Sequence, residues 1–212
     1  MKVLGFMTQK GGTGKTTLAA SVAVAAQEDG ERVFLIDLDP QGSLTNWGER
    51  READNPPVDK ITPDKLAAAI QALEKSGYTL AIVDTAGIDS AATSAAMLAS
   101  TLSLIPARPS ALDIEAARPT MGALSRLQRP YAFIINQCAA GRSSRPLDAS
   151  RALGLLGVLA PVMIAQRADH LDAIALGLGV TEYQPAGKAA DEIRQLWVWA
   201  KKRMEGKTHG ET

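Results

Sequence analysis

The run Gln9-Lys10-Gly11-Gly12-Thr13-Gly14-Lys15-Thr16-Thr17 restricts this chain more than any other feature, because it lies between a short apolar segment, Lys2 to Met7, and a long helical pattern, Lys15 to Asp29. Its glycines permit close approach and unusual φ, so successive backbone N–H groups from Gly11 to Lys15 can fold around anionic oxygens. The helix starting near Lys15 adds its positive end. Strand, glycine loop, Lys-Thr and helix in that order make a loop for a triphosphate rather than a turn that merely caps a helix. Lys15 then contacts the β- and γ-phosphates, and the Thr16 hydroxyl completes a Mg2+ shell otherwise built from phosphate oxygens and water. Thr13 and Thr17 complete the nucleotide-binding stretch.

The rest of the chain keeps the same rhythm. Apolar runs at Lys2 to Met7, Arg32 to Leu38, Leu80 to Asp84, Leu102 to Ile105, Tyr131 to Asn136 and Val162 to Ile164 predict strands. Helical patterns fall at Lys15 to Asp29, Pro63 to Lys75, Ser90 to Ala99, Ala111 to Leu127, Leu147 to Leu155 and Ala189 to Met204. Nearly continuous apolar strands are those covered on both faces. The expected class is therefore α/β: a three-layer P-loop NTPase fold whose mostly parallel twisted sheet is flanked by helices on both faces. Thr62, Pro63 and Asp64 read as a helix start, and Gly30 and Gly77 as helix stops. Residues 49–61, polar with a Pro pair, and 139–146 read as exposed loops.

A length of 212 residues suits one domain, expected over 1–205 with a flexible tail over 206–212. Ordinary hydrophobic and charged content, 46% and 22%, excludes a disordered or fibrous chain. The 23 basic and 23 acidic side chains cancel, which excludes a histone-like or ribosomal protein and leaves only a local patch for any nucleic acid. A single cysteine, Cys138, and a start without signal-peptide layout point to the cytosol. The uncharged stretch Leu153 to Gln166 contains Pro161 and is too short to span a bilayer.

Two apolar runs end in carboxylates: Val33-Phe34-Leu35-Ile36-Asp37-Leu38-Asp39 and Leu80-Ala81-Ile82-Val83-Asp84. In an open α/β sheet ligands bind beyond the strand carboxyl ends, so these aspartates should face the phosphate loop across one crevice. Asp84 is placed as a Walker B carboxylate acting on Mg2+ through water, with Gly87 letting its loop respond to the γ-phosphate. For Asp37 and Asp39 a turn or helix cap before Ser43 is the plainer alternative.

The first glycine position of a standard P-loop is held by Gln9, and Lys10 follows it. This Lys-Gly-Gly-Thr-Gly-Lys-Thr form, with Asp37 to Trp47, Ile105 to Asp113 and Gly187 to Ile193, resembles the ParA and MinD superfamily of deviant Walker A ATPases. Within it the chain is similar, over nearly its full length, to the short ParF-like partition proteins. The resemblance implies that Lys10 crosses a dimer interface to the phosphates of the partner's ATP, where a second cation would stabilise transition-state charge. A lysine drawn to phosphate in its own subunit is the alternative. It further implies that Asp39 orients or deprotonates the attacking water, that Asp37 supports the metal and its waters, and that Pro106 and Pro109 stiffen a segment at the interface. Adenine should lie near the end of the Tyr131–Asn136 strand and the loop at Ile164 to Ala168, with Asn136 as the candidate reader. Choice of ATP over GTP rests on the resemblance and on the lack of an Asn-Lys-x-Asp motif.

By the same resemblance the ATP-bound homodimer binds DNA without sequence preference, a small ParB- or ParG-like centromere-binding protein stimulates turnover, and the protein partitions plasmids or chromosomes as a cytoplasmic, nucleoid-associated ATPase. With the P-loop beginning at residue 10, no operator-reading extension is expected. Basic clusters are Lys201-Lys202-Arg203 with Lys207 and Arg194, and separately Arg142, Arg145 and Arg167; solubilising charge explains them equally. A MinD-like membrane switch would use the stripe Ile193, Leu196, Trp197, Ala200 and Met204, but core packing is the better expectation, so no membrane partner is expected. An orphan relative could position another cargo. One cysteine per subunit cannot supply the cluster ligands of a nitrogenase-iron-protein relative.

Overall fold

The computed structural model describes residues 1–87, 90–139 and 144–206. Strands β1 (Lys2–Phe6), β2 (Val33–Asp37), β3 (Val58–Lys60), β4 (Leu80–Asp84), β5 (Leu102–Ala107) and β6 (Tyr131–Ile135) form one sheet in the order β3-β2-β4-β1-β5-β6. Every pairing is parallel. The helices are α1 (Lys15–Glu28), α2 (Ser43–Glu49), α3 (Leu66–Lys75), α4 (Ala91–Ala99), α5 (Ala111–Arg126), α6 (Arg145–Gly154), α7 (Ala168–Ala175), α8 (Val180–Tyr183) and α9 (Lys188–Met204).

Strand alternation builds two cores from one sheet. Leu4, Phe6, Leu35, Ile82, Leu104 and Ile134 join α1 and α9 on one face. Their sequence neighbours Val3, Ile36, Ala81, Val83, Ile105 and Phe133 join the layer containing Met97 of α4 and Leu124 of α5 on the other. The apolar stripe of α9 is buried, from Ile193 and Leu196 to Trp197, Ala200 and Met204, so it packs on the sheet. Among the described residues no helix is long and apolar enough to cross a membrane.

Two expectations are corrected. Val162 to Ile164 is not a sheet strand: residues 159–165 run beside β6 and the segment after it, with isolated bridges at Phe133↔Leu159 and Cys138↔Ala165 in place of a continuous ladder. Ala160 N donates to Phe133 O, and Ile164 N is the next donor, to Ile135 O, so the chain bulges around Pro161, whose nitrogen has no hydrogen to give. Conversely, Val58–Lys60 inside the expected loop 49–61 is an edge strand paired with β2, Asp37 opposite Lys60. Three residues with one apolar side chain carry too little pattern to signal it. Smaller differences follow: α7 and α8 were not expected, α6 starts before Leu147, and Pro63–Lys65 is a 3-10 turn ahead of α3 in which Thr62 makes no side-chain cap. Strand β5 continues through Pro106, because pairing with β1 ends at Leu104 and the missing N–H breaks no bond there.

Candidate nucleotide site

The loop from Thr8 to Gly14 leaves the carboxyl end of β1 and enters α1, as its spacing requires. Gly12 and Gly14 have φ of 72° and 87°, values that a side chain resists. Gly14 has a second constraint, since a Cβ there would sit 2.4 Å from Asn136 Nδ2. Gly87, beyond β4, packs directly on the loop, where a Cβ would come within 2.9 Å of Gly11 N. The loop is also held from outside: Asn136 Nδ2 donates to Thr13 O at 2.7 Å and Gln137 Nε2 to Gly12 O at 2.9 Å. Two consecutive amides after β6 thus bind two consecutive loop carbonyls, which frees the loop N–H groups for the cavity.

Beta pairing brings the carboxylates together. Asp84 sits opposite Asp37 on one side and Phe6 on the other. Thr16 Oγ1 donates to Asp84 Oδ2 at 2.5 Å. Burial pushes the Asp84 carboxyl up to about 7, with the Asp37 charge adding to it, against the Thr16 hydrogen bond and the Lys15 charge. Lys15 is 8% exposed and donates to Lys10 O at 3.3 Å. Burial lowers its pKa, while Asp84 and Asp39 pull it back. Asp37 is fully buried: Oδ1 accepts from Asp39 N at 3.0 Å, and Oδ2 from Thr45 N and Thr45 Oγ1 at 2.9 and 3.0 Å. It pins the loop that carries Asp39. Asp39 in turn accepts from Gln41 N at 2.9 Å.

A cavity of about 480 Å3 is lined by Gly11, Gly12, Lys15, Thr16, Asp39 and Gly87. Asp84 and Asp39 both act on one buried lysine, and it is burial first of all that raises the Asp84 carboxyl. Among the described residues no group of three or more His, Cys, Asp or Glu side chains closes around a point. Such a donor set suits an ion that keeps most of its shell as water and phosphate oxygen, as Mg2+ does.

A second cavity, about 270 Å3, adjoins Gly14 and Thr17 and is lined by Asn136, Gln137, Arg167 and His170. His170 is 8% exposed, yet neither ring nitrogen has a partner among the described residues, nor has Arg167 Nε. Burial lowers the His170 pKa against the pull of Glu192 and Asp169. Asn136 lines this cavity, but its amide nitrogen is already engaged by the loop. His170 escaped the sequence reading, since a lone histidine in an unassigned helix carries no spacing signal.

Lys10 lies on the far side of the loop and, in the single chain, is tied to its own subunit: Nζ is 2.9 Å from Asp113 Oδ2. Arg108 Nε is 2.9 Å from Asp113 Oδ1, and Ser110 Oγ donates to Oδ2 at 2.5 Å. Burial alone would raise the Asp113 pKa, but the Ser110, Lys10 and Arg108 hydrogen bonds together hold it below the ordinary value. Ser110 also caps α5 by accepting from Asp113 N. The Ser-x-x-Asp spacing before a helix was the available sign of this cluster. Two further groups went unsignalled: Arg50 at the mouth of the larger cavity, donating to Ile174 O, and Lys60, which holds the Asp39 loop by donating to Pro40 O at 2.7 Å.

Three members of the expected basic clusters are ion-paired, while Lys202 and Arg203 are in no ion pair among the described residues. Lys201 lies 2.6 Å from Asp29 and 2.9 Å from Glu31, and its hydrogen bond to Asp29 leads the causes that raise its pKa to about 12. Arg194 faces Glu28 and Arg167 faces Glu192. Arg142 and Lys207 lie outside the described residues.

A family model described as the CobQ/CobB/MinD/ParA nucleotide binding domain matches residues 4–189. The chain belongs to this family. It is 38% identical over 115 residues to Maintenance of carboxysome distribution protein A of Gloeobacter kilaueensis, covering 53% of this chain and 52% of that protein. It is 31% identical over 206 residues to the protein of the same name from Halothiobacillus neapolitanus, covering 88% and 90%. The chain thus spans about half the length of the first relative and most of the second. The septum site-determining protein MinD of Pyrococcus horikoshii, solved with Mg-ADP, shares the fold with a TM-score of 0.81 at 20% identity over 99% of both chains.

Proposed function

We propose that this ParA/MinD-type chain is an ATP-operated dimer: ATP closes two subunits together, the closed dimer holds DNA without sequence preference, and hydrolysis to ADP and phosphate resets it. The observation that carries the reading is the junction of Lys15, Thr16, Asp39 and Asp84 at one cavity, with Lys10 on the adjoining turn of the loop. Loop N–H groups from Gly11 to Lys15 bind the phosphates, and Lys15 neutralises the β- and γ-oxygens. Thr16 and Asp84, with Asp37 behind them, would hold Mg2+, which when bound draws charge from those oxygens. Asp39, fixed on one oxygen by Gln41 N, uses the other to orient the attacking water. The purine occupies the smaller cavity, with His170 and Arg167 offering it their unpartnered atoms and Asn136 acting mainly as a brace for the loop. Lys10 exchanges Asp113 for the partner's phosphates on closure.

The cargo in this reading is a plasmid or chromosome, the stimulating partner a small ParB- or ParG-like protein, and the location the cytoplasmic nucleoid. The 31% identity over most of both chains to a carboxysome distribution protein favours a second reading, in which the same cycle positions another large assembly. Light scattering on a sizing column tests the shared core. A dimer with ATP and Mg2+ and a monomer with ADP, alongside phosphate release, are expected; a monomer in both states would refute it.

A further inference from the structure

At the basic end of α9, Lys201 is taken up by Asp29 and Glu31, while Lys202 and Arg203 form no ion pair among the described residues; a second group of unpaired arginines lies elsewhere. Arg51, Arg108, Arg151, Arg167 and Arg194 are each ion-paired. Arg118, Arg126 and Arg129 are exposed and have no ion pair or hydrogen bond from the side chain among the described residues. All three belong to α5 or the turn that closes it, the one in which Gln128 takes φ 52° and Arg129 N donates to Leu124 O.

Helical spacing sets Arg118 and Arg126 within about 80° of each other around the axis and about 12 Å apart along it. Between them on that face lie Gly122 and Ser125. The opposite face, Ala117, Thr120 and Leu124, is buried. A Cβ at Gly122 would lie 3.6 Å from Arg126 Nη1, so the glycine leaves a shallow step between two guanidinium groups. Glu115, one turn before Arg118, is the exposed acid of this helix, and Asp113 is consumed by Lys10 and Arg108.

We propose that the outer face of α5, through Arg118, Arg126 and Arg129, is the surface on which this protein meets the phosphate backbone of DNA. The inference rests on the proposed ATP-gated DNA binding and adds its location. Planar guanidinium groups suit bidentate phosphate contact. The centre of the stripe, glycine and serine, offers no aromatic or branched side chain on which a protein partner could anchor, and nothing on it reads base edges. The stripe also shares a helix with Asp113, whose ion pair with Lys10 reaches the phosphate loop. Release of Lys10 on dimer closure therefore changes the root of the same helix.

The test compares full-length wild type, Arg118→Gln/Arg126→Gln/Arg129→Gln, and the control Lys65→Gln/Lys188→Gln/Lys202→Gln on an arbitrary duplex with ATP and Mg2+ across a salt series. DNA-free ATP turnover should match in all three, showing intact folds. Wild type and control should bind with the same salt slope, and the arginine variant with a slope shallower by about 2.7 per protomer, about 0.9 for each contact removed. If the arginine variant binds with wild-type affinity and slope, the location is wrong while the DNA reading stands. If wild type is not held by DNA in any nucleotide state, or is held instead by polyglutamate, the DNA reading falls and this inference with it.

Discussion

The two cavities beside the phosphate loop are built on opposite principles. The acids and cations that frame the larger one are engaged: Asp37 accepts three hydrogen bonds, Thr16 reaches Asp84, Asp39 accepts from Gln41 N and Lys60 holds Pro40. In the smaller one the His170 ring and Arg167 Nε are buried with nothing to bind. A buried unpaired polar group costs roughly 1–3 kcal/mol, a penalty that a ligand with matching groups can remove. The larger cavity is thus formed in advance for charge, and the smaller one holds back hydrogen-bonding capacity for whatever enters it.

Four substitutions sharpen or break that contrast, in falling order of effect. Asp39→Ala should lower ATP turnover by about 10²- to 10⁴-fold while ATP binding persists and dimer accumulates; single-turnover assays with a binding titration would expose an error if turnover stayed at wild-type level. Asp37→Ala, which strands Asp39 N and Thr45 N, should cost about 2–4 kcal/mol of stability in a urea melt, and a loss below 1 kcal/mol would show the loop to be less pinned than its hydrogen bonds imply. Asn136→Ala and His170→Leu should move the ligand-free protein in opposite directions by roughly 1 kcal/mol each, the first down and the second up, because one removes a used partner and the other an unused one. Equal losses would erase the distinction between engaged and unengaged side chains.

The smallest effect is a pH dependence. His170 has a folded pKa below its unfolded value of about 6.5, so the unfolded chain takes up the proton first and stability falls as pH drops from about 6.5 toward the folded value. His170→Leu should flatten that part of the stability curve, read by thermal melts between about pH 5 and 7.5. An unchanged slope would assign the dependence to other groups.

How much of this was readable in the residues follows from where information lies along the chain. The phosphate loop, Asp37, Asp39 and Asp84 were legible because local chemistry and strand ends coincide: a glycine loop before a helix and carboxylates after apolar runs mean the same thing wherever the sheet closes. Sheet parity was legible too, as Val3 and Leu4 part to opposite cores. What stayed hidden depends on distant neighbours. Asn136 reads as a base contact until Thr13 O is found beside it, Lys60 carries no signal until β3 pairs with β2, and Lys201 reads as free surface charge until Asp29 and Glu31 are seen against it. Val162 to Ile164 has the composition of a strand, and Pro161 next to it removes the ladder.

The central claim is that Lys10 senses nucleotide across two subunits, exchanging its tie to Asp113 for the partner's phosphates. Sedimentation of Lys10→Ala beside wild type, each saturated with ATP and Mg2+, tests it most directly. Wild type should run as a dimer, and Lys10→Ala as a monomer that still binds ATP. A Lys10→Ala protein that dimerises as wild type does would contradict the account.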